Sequence, residues 1–163
     1  NGLPGSGKTT IGEQLANVLG ADHVDSDSGT GPGKASFRIL YHDSILVQHA
    51  MLSRAKELVL LNKRPVVLTS LLSLSHSGVY RVGLICDICT LVRRKTEYYE
   101  KLFNGVWHTS EQTTLKSIDR FSGFENCNLL LDSSKPMEST ISAIVNALKT
   151  PAKLPVLPVK HHR

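Results

Sequence analysis

The first nine residues leave this chain little freedom. Gly2, four further residues and Gly7-Lys8-Thr9 fit the pattern G-x-x-x-x-G-K-[ST]. The glycines let the backbone curl tightly and turn several N–H groups into one concavity, which suits an anion. Gly2, Pro4, Gly5, Ser6, Gly7, Lys8, Thr9 and Thr10 are the residues expected to line it. Within it Lys8 can reach the β- and γ-phosphates of a nucleotide, and the Thr9 hydroxyl can ligate Mg²⁺. Ile11, Leu15, Val18 and Leu19 then recur at helical spacing, and Gly20 is placed to cap the end. A helix starting near Lys8 sets its partial positive charge behind the same anion. A chance glycine-rich turn is the competing reading. It leaves unexplained why three fixed residue types are followed at once by a helix.

A loop of this kind normally follows a buried apolar strand. Only Asn1 precedes it, so the expectation is a first strand that is truncated, in a piece of a longer protein. The 163 residues suffice for one domain with a real core, expected over 1–150. The net charge of +5 is compatible with an anionic partner, although a nucleotide site alone would account for it. Three cysteines cannot make a paired framework, which favours a reducing compartment, the cytoplasm first among them. No apolar run is long enough to span a membrane as a helix.

Downstream, residues 21–25 read as a short strand ending at Asp25-Ser26-Asp27. Residues 28–34 form a glycine-rich loop. A helix is expected from about Ser36, with a break near Asp43 and with Val47, Met51, Ala55 and Leu58 as its buried stripe. Residues 66–70 and 80–88 read as strands. Thr90 is expected to cap a helix running to about Phe103, closed by Asn104-Gly105. Thr109 and Gln112 suggest a capping box opening a helix with Leu115, Ile118 and Phe121. Residues 127–131 read as a last strand, and Pro136 opens a helix carrying Ile141, Ile144, Val145 and Leu148. Strands alternating with helices imply an α/β fold with parallel pairing. Residues 151–163 read as a proline-rich basic tail or a linker to further domains.

The carboxyl ends of parallel strands form a ligand crevice, so Asp25 and Asp27 are expected to open toward the glycine loop. Positions two apart share a strand face, and both carboxylates can therefore reach one crevice. A solvated turn rich in Asp and Ser is the competing reading. Residues 2–28, GLPGSGKTTIGEQLANVLGADHVDSDS, resemble the opening of shikimate kinases and related small-metabolite kinases. The resemblance implies a three-layer P-loop NTPase fold with a parallel sheet in kinase-type strand order. It also implies Asp25 on Mg²⁺ and Asp27 at the accepting hydroxyl. Phe37-Arg38 resembles a pair in which the arginine, here Arg38, binds the substrate carboxylate. The family's glycine triplet after the third strand is absent, and Thr69-Ser70-Leu71-Leu72 stands in its place.

The layout beyond residue 28 is similar to polynucleotide 5′-kinases, in which a strand-end Asp, here Asp27, is the general base. Residues 92–121 resemble their lid, a basic helix, a loop and an amphipathic helix. Those enzymes often carry a third-strand Asp where this chain has Thr69-Ser70, which leaves Mg²⁺ to Thr9, Asp25 and water.

Arg93 and Arg94 are candidates to stabilise charge on a transferring phosphoryl group, with Arg120 as a lesser one. The alternative is a solvated helix face with ion pairs to Glu97 or Glu100. Cys86-x-x-Cys89 has metal or redox spacing, but buried thiols are the preferred reading. Tyr98-Tyr99 could stack on bases, yet Tyr99 shares a face with Val92 and Phe103, which favours core packing. Trp107 lies near the lid and could do either.

The expected function is Mg²⁺-dependent transfer of the γ-phosphoryl of ATP or GTP to a hydroxyl, preferably the 5′ end of RNA or DNA. A small-metabolite kinase, a helicase-type nucleotide-binding fragment and a catalytically dead scaffold are the alternatives.

Overall fold

The computed structural model describes residues 1–27, 44–70, 76, 78–119, 121, 124 and 126–150. Nine elements run along them: α1 (Lys8–Leu19), β1 (Asp22–Asp25), α2 (Ser44–Asn62), β2 (Val66–Thr69), β3 (Val82–Ile85), α3 (Ile88–Phe103), α4 (Glu111–Asp119), β4 (Leu129–Asp132) and α5 (Met137–Lys149). Both strand pairings are parallel, as alternation of strand and helix requires. β1 pairs with β2, setting Asp22 opposite Val66 and Asp25 opposite Thr69. β3 pairs with β4, setting Val82 opposite Leu129. Each pair is closed by a helical crossover, since parallel neighbours cannot be joined by a tight hairpin.

The core has two centres. Ile11 and Leu15 of α1 meet Leu84 of β3 and Ile141 and Ile144 of α5. Val24 of β1 meets Val47 and Met51 of α2. The stripe expected on α2 is therefore present, with Ala55 also buried and Leu58 packed at its margin. Gly12 faces β2 so closely that a Cβ there would collide with the Thr69 methyl and come within 3.0 Å of His23 Nε2. Only glycine lets α1 lie this near the strand ends, and that approach brings the helix start to the acid pair.

Among the described residues the two strand pairs are not hydrogen-bonded into one sheet. An apolar cavity of about 740 Å³ is lined by Val66, Val67 and Leu68 on one side and Val82 and Leu84 on the other. Asn1 sits beside β3. Its amine donates to the Val82 carbonyl at 2.7 Å, and the Leu84 N–H donates to its own carbonyl at 2.8 Å. Gly2 adds a parallel bridge to Leu84. A short apolar run placed ahead of Asn1 would continue this ladder into the cavity. Each large apolar side chain so buried contributes about 1.5–3 kcal/mol. Such an extended chain is expected to melt at least about 5 °C higher than one extended equally by Gly and Ser, since about 1 kcal/mol moves a domain of this size by ~2–4 °C. Identical melting curves would show that the cavity does not admit a strand.

Several boundaries differ from the expectation. The strand expected over 80–88 is only Val82–Ile85, and the one over 127–131 is Leu129–Asp132. Asp87, not Thr90, caps α3: its carboxylate accepts the Thr90 N–H at 2.8 Å. Ser110, not Thr109, caps α4, accepting the Thr113 N–H at 3.3 Å. Thr114 is the buried residue of α4, whereas Leu115 is exposed and Phe121 lies past its end. Pro136 stands just outside α5, whose Ile141 and Ile144 are buried and whose Leu148 is exposed. Residues 28–43, with Arg38, lie outside the described residues, as do Arg120 and the tail.

Candidate active site

The glycine loop takes the shape its sequence requires. Gly5 and Gly7 both adopt left-handed φ, 86° and 82°, where a side chain would be strained. The Ser6 N–H closes the turn onto the Leu3 carbonyl at 3.0 Å. α1 then starts at Lys8, and its cap, Gly7, has no side chain to accept the first N–H groups. The first N–H groups of a helix have no intrahelical acceptor, which makes a helix start suited to an anion.

A Cβ at Gly2 would collide with Ser6 Oγ, one at Gly5 would lie 3.0 Å from Lys95 Cγ, and one at Gly7 3.8 Å from Arg94 Nη1. Ser6 is 1% exposed, and its hydroxyl has no hydrogen-bond partner among the described residues. Lys8 is buried, Pro4 and Thr9 are half-buried, and Thr10 is on the surface. A cup with backbone donors, an orphaned buried hydroxyl and a buried lysine fits a polyphosphate.

The acid pair stands at the end of β1, beside that cup. Thr9 Oγ1 donates to Asp25 Oδ2 at 2.9 Å. Asp25 is buried, and its other oxygen accepts the Asp27 N–H at 3.1 Å. The Asp27 residue itself is exposed. Between them Ser26 is fixed by its N–H to the Thr69 carbonyl at 2.9 Å, and its own buried hydroxyl has no partner among the described residues. A threonine hydroxyl and a carboxylate side by side are hard oxygen donors of the kind Mg²⁺ uses together with water and substrate phosphates.

His23 lies two positions before Asp25, and its Nε2 is 3.0 Å from Thr69 Oγ1. Burial lowers its pKa, against the opposing pull of Asp25, and so favours the neutral ring. In this chain Thr69, the residue at the third-strand position, bonds histidine. The sequence reading did not single out His23. The period-two alternation that joined Asp25 to Asp27 includes it.

The structure brings Arg94 to the loop and leaves Arg93 away from it. Arg94 Nη2 donates to the Ser133 carbonyl at 2.9 Å, and Nη1 lies 3.9 Å from Cys86 Sγ. Arg93 is exposed and pairs with Glu97 at 3.3 Å, the solvated-face alternative. Leu91, 1% exposed, fixes the buried face of α3, and positions three and four later share that face. Those positions are Arg94 and Lys95. Lys95 was not foreseen; it lies along Gly5 with Nζ 3.5 Å from Thr114 Oγ1, tying α3 and α4 to the loop. Cys86 is half-buried, and burial raises its pKa while Arg94 opposes the shift. Cys89 is exposed, contrary to the expectation of buried thiols.

No helix among the described residues is long and apolar enough to cross a membrane. The family model described as shikimate kinase matches residues 4–30, which holds the loop and both acids. No curated protein matches the chain. Among solved structures, the chain is similar to a gluconokinase from Sinorhizobium meliloti 1021, at 19% identity and a TM-score of 0.60, with 90% of this chain and 87% of that one covered. It is also similar to a sugar kinase from Janibacter sp. HTCC2649, at 17% identity and a TM-score of 0.56, with 90% of each chain covered. A third is a deoxyadenosine kinase from M. mycoides with bound dATP, at 15% identity and a TM-score of 0.50, covering 91% of this chain and 97% of that one. The chain has the α/β fold of the P-loop kinases, and the matched segment together with these neighbours supports a phosphotransferase.

Proposed function

We propose that the chain transfers the γ-phosphoryl group of ATP or GTP to a hydroxyl. The observation that carries this reading is the 2.9 Å bond from Thr9 to Asp25 at the mouth of the loop, with Asp27 bonded alongside. The loop amides and Lys8 hold the phosphates. Thr9 and Asp25 would hold Mg²⁺, which neutralises phosphate charge when bound. Asp27 takes the proton of the acceptor hydroxyl as its oxygen bonds to the γ-phosphorus. The bond from that phosphorus to the bridging oxygen breaks, and the nucleoside diphosphate leaves. Arg94 supplies positive charge to the equatorial oxygens from the side of Gly7.

The acceptor has two readings. A polynucleotide 5′-hydroxyl is favoured by the net charge of +5 and by the basic helix α3 beside the loop. A small metabolite such as a hydroxy acid or sugar acid is favoured by the family match over residues 4–30 and by the gluconokinase likeness.

Labelled γ-phosphate from ATP and GTP, offered with 5′-hydroxyl oligonucleotides and with small polyols and hydroxy acids, separates them. A polynucleotide acceptor should lose about 10-fold or more in apparent affinity between roughly 50 and 200 mM salt, because several phosphates are neutralised. A small acceptor should respond weakly. No labelled product from any acceptor would refute the reading.

A further inference from the structure

Four residues of α3, Leu91, Lys95, Tyr99 and Phe103, recur at i, i+4 and so form one stripe along the helix. The stripe begins on the phosphate loop. A Cβ at Gly5 would lie 3.2 Å from the Leu91 carbonyl and 3.0 Å from Lys95 Cγ. Beyond Lys95 the stripe turns aromatic. The Tyr99 and Phe103 rings stack with centroids 6.0 Å apart and planes 14° from parallel. Trp107, the chain's one tryptophan, adds to both, 5.1 Å from Tyr99 and 5.2 Å from Phe103. Tyr98 meets Tyr99 edge-on at 5.3 Å.

Core packing, the sequence expectation for Tyr99 and Phe103, does not describe this ladder. Phe103 is 59% exposed and Trp107 is 39% exposed. Two of the three rings therefore belong to exposed residues, on a helix whose other end lies against the glycine loop.

We propose that the Tyr99–Phe103–Trp107 ladder is a stacking platform for the bases that follow an acceptor 5′-hydroxyl, an inference that rests on the polynucleotide reading of the site. Two features favour single-stranded nucleic acid over an apolar peptide. The first is length. From Lys95 at Gly5 to Phe103 the helix rises about 12 Å, at about 1.5 Å per residue. Stacked nucleotides advance about 3.4 Å each, so roughly three bases would bring a 5′ end back to the loop. The second is charge. α3 carries Arg93, Arg94, Lys95 and Lys101 against Glu97 and Glu100, and one of those acids is already paired with Arg93. Lys101 and His108, both exposed, flank the rings in sequence. Aromatic faces within a net-positive segment suit a strand whose bases stack and whose phosphates are anionic.

Trp107 reports the interaction directly. A short single-stranded 5′-hydroxyl oligonucleotide is expected to quench its emission. Phe103→Leu keeps an apolar side chain without a ring face. It should weaken quenching affinity and raise the oligonucleotide KM by about 5- to 100-fold, with kcat at saturation and the KM for ATP unchanged. Phe103→Tyr should restore both.

Quenching by an apolar peptide but not by the oligonucleotide would overturn the proposal. So would oligonucleotide phosphorylation that Phe103→Leu leaves untouched, a result in which the kinase reading stands and the platform falls. If the oligonucleotide quenches Trp107 and Phe103→Leu abolishes this, yet no oligonucleotide is phosphorylated, stacking is supported and the polynucleotide acceptor is what fails.

Discussion

Replacing Asp27 by asparagine is expected to lower turnover by about 10²–10⁴-fold, the usual contribution of a positioned general base. Nucleotide affinity should stay within a few-fold of the parent. The geometry separates the two effects. Asp25 is the carboxylate that accepts the Thr9 hydroxyl, and it is buried at the foot of the loop. Asp27 touches Asp25 through its backbone N–H, which asparagine retains. Asp27→Asn therefore leaves the Thr9–Asp25 bond intact and removes a proton acceptor. Single-turnover transfer with saturating ATP, set beside ATP affinity by calorimetry, measures both quantities. Unchanged turnover would take Asp27 out of the mechanism. Lost ATP binding would show that its carboxylate serves the nucleotide instead.

Arg94→Ala should cost a comparable amount or more, about 10³–10⁵-fold in turnover, if this guanidinium neutralises charge on the transferring group. Its fork is held in place: one nitrogen donates to the Ser133 carbonyl at 2.9 Å, and the other lies on the Gly7 side. Lysine cannot make that planar, two-pronged arrangement, so Arg94→Lys should recover only part of the loss. Arg93→Ala is the matched control. Its exposed pair with Glu97 is worth little, and turnover should change by no more than about two-fold. Equal effects at the two arginines would mean that charge on α3 acts at a distance and that the aim of Arg94 toward the loop is irrelevant. A fall in melting temperature with Arg94→Ala would assign it to anchoring β4 rather than to the chemistry.

The parts of this site that could be read in the sequence are those where local chemistry decides the backbone. Gly5 and Gly7 need left-handed φ, and the helix after Lys8 follows from apolar spacing, so the loop was determined by its own residues. Asp25 stands at a strand end, as the reading of residues 21–25 expects, whereas Asp27 lies two residues past β1, where a strand period of two no longer decides its direction. What could not be read depends on contacts between distant segments. Nothing in residues 66–69 or 82–85 says that β2 and β3 lie on either side of a cavity. Nothing near His23 says that Thr69, 46 residues on, will meet it. The caps were misplaced by a few residues, because Asp87 and Thr90, or Thr109 and Ser110, offer the backbone nearly equal bonds and packing chooses between them. Arg94 was separable from Arg93 only through the burial of Leu91. Tyr99 and Phe103 have the spacing of a core stripe, yet Tyr99 is only half-buried and Phe103 is exposed, because periodicity reports a shared face but not whether a partner covers it.

If the loop and the acid pair form one phosphoryl-transfer site, a crystal structure with Mg²⁺ and a non-hydrolysable ATP analogue will show it. The β- and γ-phosphates are expected against the backbone N–H groups of residues 5–9, with a metal between Thr9 Oγ1, Asp25 and the phosphates. The Asp27 carboxylate is expected to open onto the γ-phosphate, with Arg94 on its other side. A nucleotide bound elsewhere, or one seated in the loop with Asp25 and Asp27 both out of reach of its γ-phosphate, would contradict it.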